Sequence, residues 1–467
     1  MIGIVGTFVF VVAVYIYRYY ANVRRYPKGP TPLPLIGNLH QFDPNRLHHY
    51  FERVQAEYGD VFTVWTPAPM VILMSYSTIK EALVTKGDDF LGRMGRFPDD
   101  VLMATDNGGV IFSDGENWRE QRRTAVHILR DFGMGRNVME AQVKVSMDEF
   151  MRHLESIEDK SSVDFRWPLQ ARNIFFEFLY SGCKRDQQAP VRIPLPVQRL
   201  QTTHGLFRHA HLPCMCSGYG AIVLCTLYVF ENVRASALSQ MAMQFPWIAR
   251  LPVVGWLAVG QHRKTASRLQ AHIRTDIQRC TTTFNDNDEP ACFVHAYMQR
   301  MAKNPQLTED QMVNVCGDFF FAGMETTSTT LRWAMLHMAK NLRVQDKIRA
   351  EIHAVLGKDG EVTMNDKMRL PYTSAAVSEL QRMANIVPLN VFHRTVTDTK
   401  VDGHSIPSNT IIIAQIHNVM KRGEIFENAD EFRPERFLME DGKTPNRVSL
   451  LSILNLFFTG NMVSAYQ

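Results

Sequence analysis

The sequence predicts a mainly α-helical protein with a small β-rich part, preceded by an N-terminal membrane-anchor helix. Helical apolar patterns dominate residues 118–383, extended β-branched runs lie near 60–75 and 394–413, and an uncharged apolar run opens the chain. The chain has 467 residues, 45% hydrophobic and 21% charged, as is ordinary for a packed globular protein. Because no internal repeat and no linker after residue 34 is recognisable, we expect one large domain.

Charge and cysteine content argue against several classes of protein. The net charge is +4, from 51 basic and 47 acidic residues, which is too balanced to indicate nucleic-acid binding. Seven cysteines without regular spacing do not make a disulfide framework, and a reducing compartment is expected. Cys214 and Cys216 form a C-x-C pair that lacks the second pair a zinc site needs.

The N-terminal run 2–17 carries no charge and is followed by Arg18, Arg24 and Arg25. Basic residues after an apolar run keep the bulk of a protein on the cytosolic side. A cleaved signal peptide would usually carry its positive charge before the run. We therefore interpret residues 1–20 as a retained membrane anchor in preference to a cleaved signal.

A proline-rich hinge at 21–38 follows the anchor, with four prolines between 27 and 34 that forbid a helix and favour an extended spacer. Residues 60–75 then predict a β-hairpin that turns at Thr66-Pro67. The remaining elements are a short helix at 77–86, longer helices at 118–129, 138–157, 262–284, 291–301, 344–356 and 372–383, and a turn at Asp402-Gly403.

The stretch 317–342 is the centre of the sequence pattern. It is apolar enough for a buried helix, yet Gly323 and the hydroxyl residues 326–330 are poor helix formers whose side chains bond back to the helix backbone. Glu325 lies among them, and a buried carboxylate without a partner is unfavourable. Two interpretations are equally supported by these residues: a groove with a proton relay, or a core helix that kinks at Gly323 with Glu325 reaching water.

Two further motifs predict binding chemistry. Trp118 and Arg122 are four residues apart on one helical face, and both are donors suited to carboxylates on a planar ligand; a solvated basic face with the tryptophan packed beneath is the alternative. Glu379 and Arg382 are three apart and can form a buried ion pair, which Arg436 could join.

In combination and in this order, the motifs resemble the cytochrome P-450 family of heme-thiolate monooxygenases, most closely the membrane-anchored animal enzymes of microsomal type. The resemblance covers roughly 28–180 and 231–448, so residues 39–450 are expected to form a domain of the cytochrome P-450 fold. The motifs that carry it are 34–38, 114–118, 322–327, and 370–373 leading into 379–382.

The resemblance implies a role for each matching residue. A heme b would be the cofactor, with Glu325 and Thr326 as catalytic residues that deliver protons during dioxygen cleavage. Gly323 would leave room for the oxygen. The residues that would bind the heme propionates are Trp118, Arg122 and His393. The residues that would form a structural ion-pair triad are Glu379, Arg382 and Arg436.

The resemblance also implies partners and location. The substrate would be an apolar small molecule, and a membrane-bound NADPH-cytochrome reductase would supply electrons. The protein would lie in the endoplasmic reticulum membrane with its catalytic domain facing the cytosol. Arg119, Arg123 and Arg130 add a basic surface that either docks an acidic redox partner or is simply solvated.

One part of the family pattern is missing from the sequence. The family places the iron-ligating cysteine some twenty residues beyond the Arg436 motif, but residues 317–467 contain no cysteine. We therefore expect the heme loop and the helix after it to be lacking, no metal ligand, and no normal monooxygenase chemistry. Segments 187–230 and 451–467 are atypical. One hypothesis is that both segments derive from intron read-through or alternative exons in an incomplete sequence. The other is that they are genuine, and that the protein is a catalytically inactive, membrane-anchored relative that binds a ligand or partner.

Overall fold

The computed structural model describes residues 2–41, 46–95, 97–132, 137–160, 236–421 and 425–446, with a few isolated residues between 163 and 169. The atypical segments 187–230 and 451–467 lie outside these ranges, as does the end of the predicted domain at 447–450. The described part is mainly helical with two small sheets, which is the predicted fold class. The proposed boundaries of anchor, hinge and domain remain predictions.

Most described elements are helices. In chain order they are α1 (Ile2–Val23), α2 (Leu47–Tyr58), α3 (Tyr76–Lys80), α4 (Asp99–Leu102), α5 (Gly115–Asp131), α6 (Asn137–Glu155), α7 (Ala237–Gln244), α8 (Pro252–Gly255), α9 (Gln261–Thr281), α10 (Phe293–Met301), α11 (Glu309–Lys340), α12 (Leu342–Leu356), α13 (Pro371–Ala384) and α14 (Ile416–Lys421). Short 3₁₀ segments lie at Leu39–Gln41, Gly87–Phe90, Ile248–Arg250, Met364–Arg369 and Pro434–Phe437, and π-helical turns at Glu81–Thr85 and Trp256–Gly260.

Six strands form the β-rich part of the described residues. They are β1 (Val61–Thr66), β2 (Ala68–Leu73), β3 (His393–Arg394), β4 (Thr399–Val401), β5 (His404–Ile406) and β6 (Ile411–Ala414). The larger sheet has the order β1-β2-β6-β3, with β1 and β2 antiparallel and β2 and β6 parallel. The predicted hairpin is confirmed, with Thr66 paired to Ala68 across Pro67. β4 and β5 flank the predicted turn, where Asp402 and Gly403 both have positive φ.

The described chain divides into two compact units, one formed by residues 1–95 and 330–467 and the other by 96–329. In the first unit, successive residues of β6 pack into two different hydrophobic clusters. Ile413 packs with Tyr50 and Phe51 of α2, whereas Ile412 packs with Val419 of α14. Both faces of the strand are therefore buried, which explains its continuous β-branched run.

The core of the second unit lies between α5, α9, α10 and the N-terminal half of α11. Its buried members include Ile128, Ile273, Tyr297 and Phe320. Cys292 and Cys316 are buried in the same cluster. Apolar faces at helical spacing thus converge on one interior, as amphipathic helices require.

The hinge is bonded to the elements on either side of it. The Tyr20 hydroxyl of α1 donates to the Pro32 carbonyl at 3.2 Å. The Asn38 side chain donates to the Pro30 carbonyl at 3.2 Å and accepts from the Trp65 amide at 2.9 Å. Gly37 has φ +60° and lies so close to the Trp65 carbonyl that a Cβ would collide with it. The extended spacer is therefore fixed to β1.

Glu351 of α12 caps the N-terminus of α13, the helix that carries Glu379 and Arg382. Its carboxylate accepts from the Tyr372 amide at 2.8 Å, the Thr373 amide at 2.8 Å and the Thr373 hydroxyl at 2.6 Å. The first amides of a helix have no partner within the helix, so a carboxylate from elsewhere satisfies both donors and favours the local dipole.

We expect Glu351→Ala to lower the free energy of unfolding by about 1–3 kcal/mol, because it leaves two helix-end donors without their charged acceptor. Urea denaturation followed by circular dichroism measures the change. The matched control is Asp346→Ala on the same helix, whose side chain is 67% exposed and pairs with the exposed Arg349. The control should change stability by less than about 0.5 kcal/mol; equal losses for the two variants would contradict the capping role.

Candidate functional site

Helix α11 has 32 residues and contains residues 317–340 of the central stretch without a break. Gly323 is buried within it. The Thr326 hydroxyl donates to the Ala322 carbonyl at 2.6 Å, and the Ser328 hydroxyl donates to the Met324 carbonyl at 2.7 Å. The hydroxyls therefore bond back to the preceding turn as the sequence predicts, and they do so without interrupting the helix.

The Glu325 carboxylate is half-buried and is bonded one helical turn further on. The Thr329 hydroxyl donates to Glu325 Oε1 at 3.1 Å. The hydroxyl of its neighbour Thr326, which the resemblance pairs with it, is exposed and donates to Ala322. Thr329 was not predicted as a site residue, although the spacing of four residues on a helix could have suggested it.

Trp118 and Arg122 lie together on α5. The Trp118 ring is 8% exposed, and its Nε1–H donates to the Val110 carbonyl at 3.2 Å. The Arg122 guanidinium lies 5.4 Å from the ring centre, a cation–π distance. Arg122 is half-buried, burial lowers its pKa, and no carboxylate or carbonyl bonds to it in the described part of the chain. A desolvated cation of this kind is suited to an external anion.

The orientation of α5 depends on Gln121, which the sequence did not mark. Its side chain is fully buried, accepts from the Tyr297 hydroxyl of α10, and donates to the Gln306 carbonyl at 3.1 Å. Because Gln121 lies between Trp118 and Arg122 on α5, its buried bonds fix the rotation of the helix and hence the faces that both residues present.

In the other unit, Glu379 of α13 is fully buried among positive groups. It accepts from Arg382 Nε at 2.8 Å, Arg382 Nη2 at 2.9 Å, Arg436 Nε at 3.0 Å and the Arg433 amide at 2.9 Å. The Arg382 side chain is 1% exposed and that of Arg436 6%. Arg382 also donates to the Met420 carbonyl at 2.7 Å. The predicted triad residues are in contact, and backbone acceptors satisfy donors that the carboxylate does not use.

His393 of β3 is buried and neutral. Burial and the adjacent Arg93 charge lower the pKa of His393 to about 3. Its Nδ1–H donates to the Phe90 carbonyl at 2.9 Å, and its Nε2 accepts from Arg93 Nη1 at 3.1 Å, the tautomer that this geometry requires. The 6% exposed Arg93 is a further candidate that the sequence did not reveal, because the two residues are 300 positions apart.

The family model described as "Cytochrome P450" matches residues 27–183 and 228–451 of this chain. Mouse cytochrome P450 2J5 is 29% identical over 459 residues, covering 96% of this chain and 83% of that protein. Mouse cytochrome P450 2B19 is 30% identical over 427 residues, covering 89% and 79%. Rat cytochrome P450 2J3 is 31% identical over 440 residues, covering 92% and 80%. The chain belongs to the cytochrome P450 family, whose members are heme-dependent monooxygenases.

The donor chemistry of the described residues fits a heme in part. Arg122 offers a half-buried cation that a propionate carboxylate would satisfy. The Trp118 N–H and both ring nitrogens of His393 are already bonded within the protein. Among the described cysteines, Cys280, Cys292 and Cys316 are buried in the core of their unit, and residues 317–467 hold no cysteine.

We expect Glu379→Ala to lower the free energy of unfolding by about 3–5 kcal/mol, because two buried guanidinium groups lose their counter-ion. Guanidinium denaturation at fixed pH gives the value. Glu427→Ala is the control: its carboxylate pairs with Arg433 but is 78% exposed, so its loss should stay below about 1 kcal/mol. A small effect of Glu379→Ala would show that solvent reaches the cluster.

Proposed function

We propose that this chain binds heme b and carries the proton-handling half of a monooxygenase site for apolar small molecules. The observation that carries the proposal is the arrangement on α11, where the Thr329 hydroxyl orients the half-buried Glu325 carboxylate. A carboxylate held in place on a partly exposed helix face can exchange protons with a small bound molecule.

When bound, heme supplies the iron at which dioxygen is activated for insertion into a substrate. Glu325 would hold the proton at its carboxylate, and Thr329 would keep the carboxylate pointed along α11. The Thr326 hydroxyl would pass the proton onward after turning from the Ala322 carbonyl, its present acceptor. Gly323 lies three residues before Thr326, so it would leave the Thr326 face of α11 free of side-chain bulk.

Arg122 supports the proposed propionate binding most directly. Its guanidinium is already removed from much of the solvent, so it can form a charge-assisted hydrogen bond with little further desolvation. Trp118 would support the guanidinium from beneath through its ring. His393 would act through Arg93, whose guanidinium donates to it, because a neutral His393 with both nitrogens bonded cannot itself donate to a carboxylate.

Membrane attachment and electron supply form the outer part of the proposal. Residues Ile4–Val23 form a 20-residue helical stretch apolar and long enough to cross a membrane. We place the protein in the endoplasmic reticulum membrane, facing the cytosol, with a reductase as electron donor. The basic surface predicted on α5 is weaker than its sequence suggests, because Arg119 pairs with Glu116 and Arg123 with Glu120.

Heme titration of the full chain, followed by Soret absorbance, tests the cofactor site. Losing one charge-assisted bond corresponds to about 1.5–3 kcal/mol, so Arg122→Leu should weaken heme binding about 10- to 100-fold. The control is Arg123→Leu on the same helix, whose side chain is 74% exposed and paired with Glu120. Equal heme affinity of both variants and the wild type would contradict the role of Arg122.

Carbon monoxide binding to the reduced protein tests the iron ligand. Because residues 317–467 contain no cysteine, we expect heme uptake without the red-shifted Soret band that thiolate ligation gives. The red-shifted band would show that this polypeptide does supply a thiolate. Absence of heme uptake at every concentration would overturn the proposed function and favour a catalytically inactive, membrane-anchored relative.

A further inference from the structure

A polar stripe on α11 holds the backbone of residues 104–111 within the second unit. Gln311, Asn314 and Asp318 are spaced three and four apart, so they lie on one face of the helix. Asn314 Oδ1 accepts from the Ala104 amide at 2.7 Å, and Gln311 Oε1 accepts from the Gly109 amide at 3.0 Å. These side chains replace the sheet or helix partners that the segment's amides do not have.

Asp318 accepts more backbone hydrogen bonds from this segment than Gln311 or Asn314 does in the described structure. Its Oδ2 accepts from the Val110 amide at 2.6 Å and from the Ile111 amide at 3.0 Å. Gly109, with φ +80°, lies so close to the same oxygen that a Cβ would collide with it. Gly108 is packed equally tightly against Asn314. Two successive glycines therefore let the segment approach the helix as closely as the bonds require.

The segment 104–111 connects this stripe with Trp118, and the stripe lies on the same helix as Glu325. The Val110 carbonyl accepts the Trp118 indole N–H at 3.2 Å, while the Val110 amide is held by Asp318. Glu325 lies seven residues beyond Asp318, hence on nearly the same face of α11 and about 10 Å further along its axis. A change in the bonds that Asp318 accepts therefore acts on the position of Trp118 through Val110.

We propose that Asp318 is a positioning residue, a proton-sensitive latch that holds residues 104–111 on α11 and thereby sets the position of the Trp118 indole donor. Its bearing on heme rests on the proposed function. The latch itself is a property of the protein alone.

The latch is sensitive to protons because Asp318 is fully buried. Burial raises the pKa of Asp318 to about 7, against the opposing effect of the two amides that favour the carboxylate. Among the described residues, no charged side chain of α11, of the 104–111 segment or of the helices packed on them contributes to this shift. Opening the segment would hydrate the carboxyl and return its pKa towards an ordinary value of about 4.

The sign of the effect follows from proton linkage. Between about pH 4 and 7 the closed state binds more protons than the open state, so closure is most stable at acidic pH and weakens as the pH rises. Each pH unit in this window changes the opening equilibrium by up to about tenfold, and the dependence flattens above pH 7. The segment is therefore held tightly in mild acid and loosens at neutral pH and above.

Amide hydrogen exchange of the full-length protein, measured from pH 5 to pH 8 and corrected for intrinsic rates, tests the latch. In the wild type, protection of the Val110 and Ile111 amides should fall by about tenfold per pH unit up to pH 7 and then level off. Asp318→Asn keeps an acceptor oxygen but cannot titrate, so its profile should be flat. Asp310→Asn is the control on the same helix, with a side chain 51% exposed, and should keep the wild-type profile.

A flat wild-type profile, or an Asp318→Asn variant that keeps the wild-type slope, would overturn the proposal. If Asp318→Asn does not fold, Gly109→Ala decides: it leaves the carboxyl in place but pushes the segment away, so protection at both amides should be lost at every pH. Retained protection in that variant would also overturn the latch. Because the measurement needs no heme, its outcome is independent of the heme titration, and failure of either proposal can be recognised separately.

Discussion

The buried carboxylate of Glu379 is the interaction on which much of the first unit depends. Four donor groups surround it, two of them from the nearly inaccessible Arg382. A buried ion pair adds little net stability over an apolar packing, but an arginine left without its carboxylate is strongly unfavourable. Arg382 also bonds to the Met420 and Ala429 carbonyls. The chain around α13, α14 and residues 425–437 must therefore close around one anion, which specifies its arrangement.

In the second unit, the buried Gln121 and Asp318 have neutral partners instead. Gln121 takes its partners from α10 and the Gln306 carbonyl, and Asp318 takes two amides from residues 104–111. Backbone amides in an irregular segment have few possible acceptors, so a polar side chain on a rigid helix both satisfies them and fixes their position. For this reason α11 serves as a core element and as the scaffold of the candidate site.

The sequence predicted much of the fold because several signals were local. The β1–β2 hairpin, its Pro67 turn and the Asp402-Gly403 turn depend on neighbouring residues, and all are present in the structure. The helix expected at 77–86 was correct in place but not in form, since α3 changes to a π-helical turn at Glu81–Thr85. Hydrophobic spacing does not distinguish these helix types, because they differ by a single residue in the hydrogen-bond spacing.

The sequence by itself determined the fold class, the stretch around Glu325, and the residues of the ion-pair cluster, because helical spacing and residue chemistry are written along the chain. The tertiary structure decided which side chains become buried and which groups they contact. The Arg93–His393 contact and the bonds of Asp318 to Val110 and Ile111 join residues separated by 207 to 300 positions. Burial then shifts their protonation, and desolvation exists only once the chain has folded around them.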